Sequence, residues 1–160
     1  MQQLDNLLLH NNNPTGYYTR PPEANPVEME HHDRFTILIV DDEKAIRELI
    51  QLYLNSLGLH VIQAKNGIEA LDYVKRCKID LVLLDIVLPF LDGFAVCAAI
   101  RQDSEVPILM LTTINQLASA ARAFQVGANG YITKPFTLDM LKTRLQTFIN
   151  QPHPTDYMRR

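Results

Sequence analysis

The 160-residue chain has little cysteine, no tryptophan and no long hydrophobic run. Its two cysteines, Cys77 and Cys97, are too few for a disulfide framework, so we expect a cytoplasmic, reducing environment. A transmembrane helix needs about eighteen consecutive apolar residues, and no segment supplies them. The N-terminal segment also lacks the basic start of a secretory signal. These absences predict a protein with no membrane association.

An excess of positive charge is also missing. Fifteen Lys and Arg residues face eighteen Asp and Glu residues, which gives a formal net charge of -3. No local basic stripe compensates for this balance, so we expect no direct binding to nucleic acid. Hydrophobic residues make up 47% of the chain and charged residues 21%, the composition of a folded globular domain.

The chain divides into three segments by composition. Residues 1–33 contain four prolines and an asparagine run, and we predict a flexible N-terminal extension there. Residues 34–150 alternate short apolar runs with helical periodicity, which predicts one folded domain. Residues 151–160 form a short C-terminal tail with two prolines.

The folded segment reads as five strands that alternate with five helices. Three apolar runs, at 37–40, 81–84 and 108–111, are continuous, as in strands buried on both faces of a parallel sheet. Two weaker runs, at 60–64 and 131–132, suit the edges of that sheet. Right-handed crossovers then give a flavodoxin-like (βα)5 doubly wound α/β fold with strand order 2-1-3-4-5.

Polar residues follow the strands at the edge where a ligand site is expected. Asp41 and Asp42 follow strand 1, Asp85 follows strand 3, Thr112 follows strand 4, and strand 5 leads to Lys134. Each has a structural alternative: Asp42 or Thr112 could cap a helix, Asp85 could open a turn, and Lys134 could be solvated. Their coincidence on neighbouring strand ends favours a functional site instead.

The chemistry of this cluster points to phosphoryl transfer. Neighbouring carboxylates cannot all stay ionised without a cation, and no His or Cys is present at these strand ends. All-oxygen ligands favour Mg²⁺, which keeps water sites open for an incoming phosphate. A hydroxyl from Thr112 and an ammonium from Lys134 can bind the remaining phosphoryl oxygens. An aspartate is then a competent acceptor that forms an aspartyl phosphate.

Four motifs together resemble the receiver domain of bacterial two-component response regulators, over roughly 34–150. They are Ile-Leu-Ile-Val-Asp-Asp-Glu at 37–43, Leu-Val-Leu-Leu-Asp-Ile-Val-Leu-Pro at 81–89, Leu-Thr-Thr at 111–113 and Gly-Ala-Asn-Gly-Tyr-Ile-Thr-Lys-Pro-Phe at 127–136. The resemblance implies a phospho-acceptor signalling protein rather than an enzyme, one that assists only its own phosphorylation and dephosphorylation. Its phosphodonor would be a histidine kinase or a histidine phosphotransfer protein.

The resemblance also implies roles for individual residues at the acceptor. Asp85 would be the phospho-acceptor. Asp42, Asp85 and the backbone carbonyl of Val87 would bind Mg²⁺ directly, and Asp41 would contribute through water. Val87 and Ile114 would lie over the phosphoryl group, where neither can orient an attacking water.

Further roles concern the switch. Thr112 and Tyr131 would be the switch pair, acting on the face formed by helix 4, strand 5 and helix 5. Lys134 would bind the phosphate, with a cis bond to Pro135. Thr112 and Lys134 would therefore assist the chemistry at Asp85.

The sequence departs from the transcription-factor members of that family. They usually carry acidic residues, used in a dimer interface, where this chain has Asn129 and Gly130. We therefore expect a monomer or weak dimer that signals to a separate, unidentified output protein. Two alternatives stay open: a receiver fragment of a larger DNA-binding response regulator, and a receiver-like protein that works without phosphorylation.

Two rivals from other classes fit the sequence less well. A flavin- or nucleotide-binding protein of this topology needs a Gly- or Ser-rich loop after strand 1, where this chain has Asp41-Asp42-Glu43. A phosphatase similar to the haloacid dehalogenase family needs Asp-x-Asp after a strand. Neither Asp42 nor Asp85 is followed by Asp two residues later.

Overall fold

The fold is described from a computed structural model, in which residues 34–113 and 117–151 are described. The predicted extension at 1–33 and residues 152–160 of the predicted tail lie outside this description. Within it, no helix combines the length and the apolar character that crossing a bilayer requires.

Strands and helices alternate along the described chain. The strands are β1 (Thr36–Val40), β2 (His60–Ala64), β3 (Leu81–Asp85), β4 (Ile108–Thr112) and β5 (Gly130–Thr133). The helices are α1 (Lys44–Ser56), α2 (Gly67–Arg76), α3 (Gly93–Arg101), α4 (Leu117–Gln125) and α5 (Leu138–Ile149). Every predicted strand and helix is therefore present.

The five strands form one sheet in the order β2-β1-β3-β4-β5, and every pairing is parallel. The predicted flavodoxin-like arrangement is confirmed. β1, β3 and β4 are buried along their whole length, whereas β2 and β5 are partly exposed at the edges. Strand apolarity therefore matches strand position in the sheet, as expected when helices cover both faces.

The core has two halves because successive side chains of a strand point to opposite faces of the sheet. Leu38 and Leu84 belong to the half covered by α2, α3 and α4. Ile39 and Leu83 belong to the half covered by α1 and α5, where Ile50 and other helix residues pack. The two halves hold all strands in fixed register, so the residues at the carboxyl ends of β1, β3 and β4 occupy fixed positions.

Helix boundaries follow local hydrogen bonding. The side chain of Asn66 accepts from the backbone N–H of Glu69 at the start of α2, and Thr137 accepts from Met140 at the start of α5. α1 ends at Ser56, and Gly58 then adopts a positive φ of 80°, which a residue without a Cβ adopts at little cost.

Candidate functional site: an acidic pocket at the carboxyl edge of the sheet

Asp41, the residue after β1, is fully buried and bonded through both carboxylate oxygens. Its Oδ1 accepts from the backbone N–H of Glu43 at 2.9 Å, and its Oδ2 accepts from Lys134 Nζ at 2.8 Å. A buried carboxylate is costly unless its oxygens have such partners. The side chain of Asp41 is therefore held in one orientation.

Asp85 is the last residue of β3 and is 5% exposed. Its Oδ1 accepts from the backbone N–H of Val87 at 3.1 Å, and its Oδ2 accepts from Lys134 Nζ at 2.9 Å. Burial raises the pKa of Asp85 above its ordinary value, and the ammonium of Lys134 offsets only part of that effect. The negative charge of nearby Asp41 adds a smaller contribution in the same direction.

Lys134 joins the two carboxylates although it follows β5 at the far edge of the sheet. Its backbone N–H donates to the carbonyl of Thr112 at 2.6 Å, and its peptide bond to Pro135 is cis, as the resemblance implied. The side chain is only 11% exposed. Burial alone would lower the pKa of Lys134, but the hydrogen bonds to Asp41 and Asp85 outweigh burial and raise it. A solvated position for Lys134, the structural alternative, is wrong.

Asp42 is exposed and completes the acidic pocket, by which we mean Asp41, Asp42 and Asp85 with Lys134. One carboxylate oxygen from each of the three aspartates lies within 4.8 Å of the others. The alternative role of Asp42 as a helix cap is wrong, because Glu43 occupies the N-cap position of α1. Negative charge therefore exceeds positive charge at the mouth of this pocket.

The donor chemistry of the acidic pocket fits a hard divalent cation. Its candidate ligands are oxygen atoms, which is what Mg²⁺ prefers. Asp41 and Asp85 each use one lone pair on each carboxylate oxygen, for Lys134 and for a backbone N–H, so every one of these oxygens keeps a second lone pair for a cation, and Asp42 is exposed beside them. No other group of three or more such side chains with the proximity needed to hold a metal occurs in the described part of the chain.

Arg47 is a positioning residue that sequence reasoning missed. From the first turn of α1, its Nη1 donates to the backbone carbonyls of Asp41 at 2.7 Å and Asp42 at 3.1 Å, and its Nε donates to Gln63 at 3.1 Å. The guanidinium thus fixes the turn that presents both aspartates. The available signal was a basic residue in the first turn of a helix, where the helix dipole disfavours it unless other contacts compensate.

Thr112 and Tyr131 occupy different levels of the sheet. Thr112 ends β4, is 3% exposed and pairs with Thr133 of β5. Tyr131 pairs with Met110, two positions earlier, and its half-buried ring meets Phe124 of α4 edge-on with centroids 6.1 Å apart. Thr112 therefore belongs to the carboxyl edge with Asp85, whereas Tyr131 belongs to the side of the sheet that carries α4.

We define the α4–β5–α5 face by Phe124, Tyr131, Met140 and Arg144; the last three of these residues line an open groove of about 520 Å³. Phe124 and Met140 are about half exposed on this face, and Arg144 is exposed. Asn129, shortly before Tyr131 in the chain, is uncharged and brings no carboxylate to this face.

Asn129 is used inside the molecule instead. Its side-chain oxygen accepts from the backbone N–H of Ile108 and from Arg101 Nη2, both at 2.8 Å. Arg101 also donates to the carbonyl of Gly127 at 2.9 Å. These bonds join the end of α3 to the segment between α4 and β5, a link that the sequence pattern did not reveal.

Comparison with known proteins agrees with this geometry. Residues 37–146 match the family model of the response regulator receiver domain. The chain belongs to this family. A receiver domain is a signalling domain, so the predicted family and the predicted role in two-component signalling are confirmed.

The curated relatives of this receiver domain include transcriptional regulators. The probable transcriptional regulator ycf27 of Cyanidium caldarium is 40% identical over 122 residues, which cover 76% of this chain and 47% of the relative. The DNA-binding dual master transcriptional regulator RpaA of Synechocystis is 36% identical, over 72% of this chain and 49% of the relative. The chain thus spans about half the length of the curated relatives it matches.

Solved structures match the receiver domain over nearly their whole length. The chemotaxis protein CheY4 of Vibrio cholerae is 33% identical with a TM-score of 0.69, covering 72% of this chain and 98% of that one. The receiver domain of the sensor histidine kinase PA1611 from Pseudomonas aeruginosa, with magnesium coordinated in its active-site cleft, is 33% identical with a TM-score of 0.68, covering 74% and 99%.

A third neighbour was solved together with a partner protein. It is the co-crystal of the Saccharomyces cerevisiae histidine phosphotransfer protein Ypd1 with the receiver domain of its downstream response regulator Ssk1. The match is 26% identical with a TM-score of 0.68, and it covers 72% of this chain and 88% of the other.

Proposed function

We propose that Asp85 accepts a phosphoryl group from a phosphohistidine and thereby switches the receiver domain between two signalling states. The observation that carries this proposal is the bridge from Lys134 Nζ to Asp85 at 2.9 Å and to Asp41 at 2.8 Å, within a cluster of three carboxylates. An ammonium and several oxygen ligands around one buried carboxylate are the groups that stabilise a transferring phosphoryl group.

The transfer is a displacement at phosphorus. A carboxylate oxygen of Asp85 forms a bond to phosphorus while the bond from phosphorus to the donor's imidazole nitrogen breaks. The imidazole leaves with that electron pair and takes up a proton. Lys134 then neutralises charge on the phosphoryl oxygens, and the hydroxyl of Thr112 donates to one of them.

Mg²⁺ is the cation that these residues would hold, through Asp42, Asp85 and the backbone carbonyl of Val87, with Asp41 contributing through water. When bound, it would neutralise charge that develops on the phosphoryl oxygens. The all-oxygen donor set supports this choice, and so does the magnesium in the cleft of the PA1611 receiver.

The phosphodonor would be a histidine kinase or a histidine phosphotransfer protein. The Ssk1 receiver with its partner Ypd1 supports this class of donor. Because Asp85 is buried, such a donor would have to bring its phosphohistidine to the mouth of the acidic pocket.

The output would pass through Thr112 and Tyr131 to the α4–β5–α5 face and from there to a separate protein, with the receiver a monomer or weak dimer. The residues at 129 and 130 support this, because neither Asn129 nor Gly130 can offer a carboxylate to Arg144. A transcriptional output is the second candidate. Relatives named as transcriptional regulators, of which this chain spans about half, favour it.

Intact mass spectrometry with phosphoramidate and Mg²⁺ tests the acceptor. The wild type is expected to gain one phosphoryl group, and Asp85→Asn is expected to gain none, because an amide of the same shape cannot attack phosphorus. Asp72→Asn, which changes an exposed carboxylate on α2 away from the acidic pocket, is the matched control and should be modified like the wild type. Modification of Asp85→Asn at the wild-type rate would disprove the assignment.

A further inference from the structure

The β3–α3 loop, residues 87–92, leaves and rejoins the fold beside Asp85. The backbone N–H of Gly93 donates to the carbonyl of Ile86 at 2.9 Å, which closes the base of the loop. A Cβ on Gly93 would lie 2.2 Å from the carbonyl oxygen of Asp85, so only glycine permits this closure. Asp92 then accepts from the N–H of Ala95 and starts α3. The loop is thus fixed at both ends at the rim of the acidic pocket.

Two leucines fasten the loop to the fold, whereas the residue at its apex points away from it. Leu88 and Leu91 are partly buried and pack against the core. Phe90, between them, is 90% exposed, the largest exposure among the large hydrophobic side chains of the described residues. The fold therefore gains little from the aromatic ring of Phe90.

The backbone at Phe90 is strained as well. Its φ is +68°, and the N–H of Leu91 donates to the carbonyl of Pro89 at 2.8 Å, which closes a γ-turn around Phe90. Residues with a Cβ adopt a positive φ at a cost, and such strain concentrates at functional sites. A bulky aromatic residue at this position thus costs conformational free energy without a compensating gain in burial.

We infer that Phe90 is a docking residue for the protein that delivers the phosphoryl group, a phosphohistidine protein; this rests on the proposed role of Asp85. The side chain of Asp85 is only 7% exposed, so the donor must bring its histidine down to the pocket mouth. The body of a protein donor then covers the loops around that mouth, including the β3–α3 loop. A small phosphodonor covers none of them.

The chemistry of Phe90 suits this contact. Aromatic side chains are frequent anchors of protein interfaces because they bury a large apolar area while ordering few rotatable bonds. A loop anchored by Leu88 and Leu91 presents the ring in a fixed place, which lowers the entropy cost of docking. The partner surface that meets Phe90 should accordingly be an apolar pocket close to the donor histidine.

Two kinds of phosphodonor separate docking from chemistry. The full chain and its variants are phosphorylated with phosphoramidate. In a separate assay, the histidine kinases and phosphotransfer proteins encoded in the same genome are screened on the wild type, and the one that phosphorylates it fastest serves as the protein donor. Phe90→Gly removes the ring and its backbone strain, and Phe90→Leu keeps an apolar side chain. Leu57→Ser, which changes a partly exposed leucine after α1 at the opposite edge of the sheet, is the control.

Phe90→Gly should react with phosphoramidate like the wild type, while its kcat/KM with the protein donor falls about tenfold, mainly through KM. With the protein donor, the kcat/KM of Phe90→Leu should lie between those of the wild type and Phe90→Gly. Leu57→Ser should match the wild type with both donors. Equal transfer from the protein donor to Phe90→Gly and wild type would overturn the inference, and so would equal slowing with both donors. So would the absence of any protein donor. Failure of phosphoramidate on wild type would instead refute the role of Asp85, and the docking inference with it.

Discussion

The acidic pocket and the α4–β5–α5 face are built on neighbouring strands, but their side chains differ in exposure and in hydrogen bonding. In the acidic pocket, Asp41 and Asp85 are buried, and both are held by hydrogen bonds from the partly buried Lys134. On the face, Met140 and Arg144 are exposed beside an open groove. Charges that act on a reacting group need fixed positions, whereas surfaces that recognise partners need accessible side chains.

The β3–α3 loop combines the two kinds of environment within six residues. Val87 donates to Asp85 and belongs to the chemistry, whereas Phe90 is exposed and belongs to recognition. A substitution at one position should therefore alter phosphoryl chemistry and leave partner choice intact, and the reverse should hold at the other.

The largest effect is expected from removing the metal. Excess chelator should slow phosphorylation about a hundredfold or more, because nothing then balances the surplus negative charge of the acidic pocket. Mg²⁺ at 100 times its Kd should stabilise the unphosphorylated fold by about 2.7 kcal/mol, measured by thermal or urea unfolding.

Asp42→Asn should lose most of this stabilisation by Mg²⁺, whereas Asp72→Asn should keep it. The metal site would be contradicted if Mg²⁺ left the melting temperature unchanged and chelator left the phosphorylation rate unchanged.

A smaller effect concerns the lifetime of the phosphorylated state. Val87 is 58% exposed beside Asp85 and has no group that can orient an attacking water. Val87→Asn should therefore speed loss of phosphate by up to about tenfold, followed by intact mass after the donor is removed. Val87→Leu, which adds no hydrogen-bonding group, should keep the wild-type rate. Unchanged or slower loss in Val87→Asn would count against this role. Ile114 lies outside the described residues.

Phe90→Gly should stabilise the fold while weakening recognition. Relief of the positive φ is worth about 1–3 kcal/mol, and the greater freedom of glycine in the unfolded chain offsets about 1 kcal/mol of it. We expect a net gain of about 1 kcal/mol in urea unfolding with an unchanged m-value. Phe90→Leu keeps the strain and should show no gain. A loss of stability in Phe90→Gly would mean that the ring supports the fold.

The smallest expected effect is on oligomeric state. Exposed ion pairs contribute about 0–1 kcal/mol each, and Asn129 and Gly130 offer no carboxylate to Arg144. Sedimentation with and without beryllofluoride should therefore show no symmetric dimer through the α4–β5–α5 face. Gly130→Asp supplies a carboxylate next to Asn129 and should shift the protein toward that dimer. A beryllofluoride-induced dimer of the wild type through this face would refute the prediction.

The sequence predicted the sheet and the acidic pocket because both depend on regular rules. Continuous apolar runs mark strands covered on both faces, and parallel strands bring residues such as Asp41 and Asp85 to one edge. Contacts that depend on chain reversals were not predictable in the same way. Arg47 donates to the backbone carbonyl of Asp41, and Arg101 donates to the side chain of Asn129. Neither contact follows from the helical or strand periodicity of the sequence.

Phe90 illustrates a different limit. Its neighbours Leu88 and Leu91 carry the apolar character expected of residues that pack on a core, and a phenylalanine between them suggests the same. Only the direction of the backbone at the γ-turn places the ring outside. Sequence patterns report whether a side chain is apolar, but in an irregular loop they do not report which way it points.

The backbone hydrogen bond between Gly93 and Ile86 closes the β3–α3 loop at its base, so that the residues at its apex can be exchanged. Because the chain returns to its starting point at the base of the loop and Leu88 and Leu91 anchor it to the core, we expect that residues 89 and 90 can be replaced by those of another receiver without displacing Asp85 or α3. Natural selection could then change the partner of this protein by altering two consecutive codons. An engineer could redirect a phosphorylation pathway by the same short transplant.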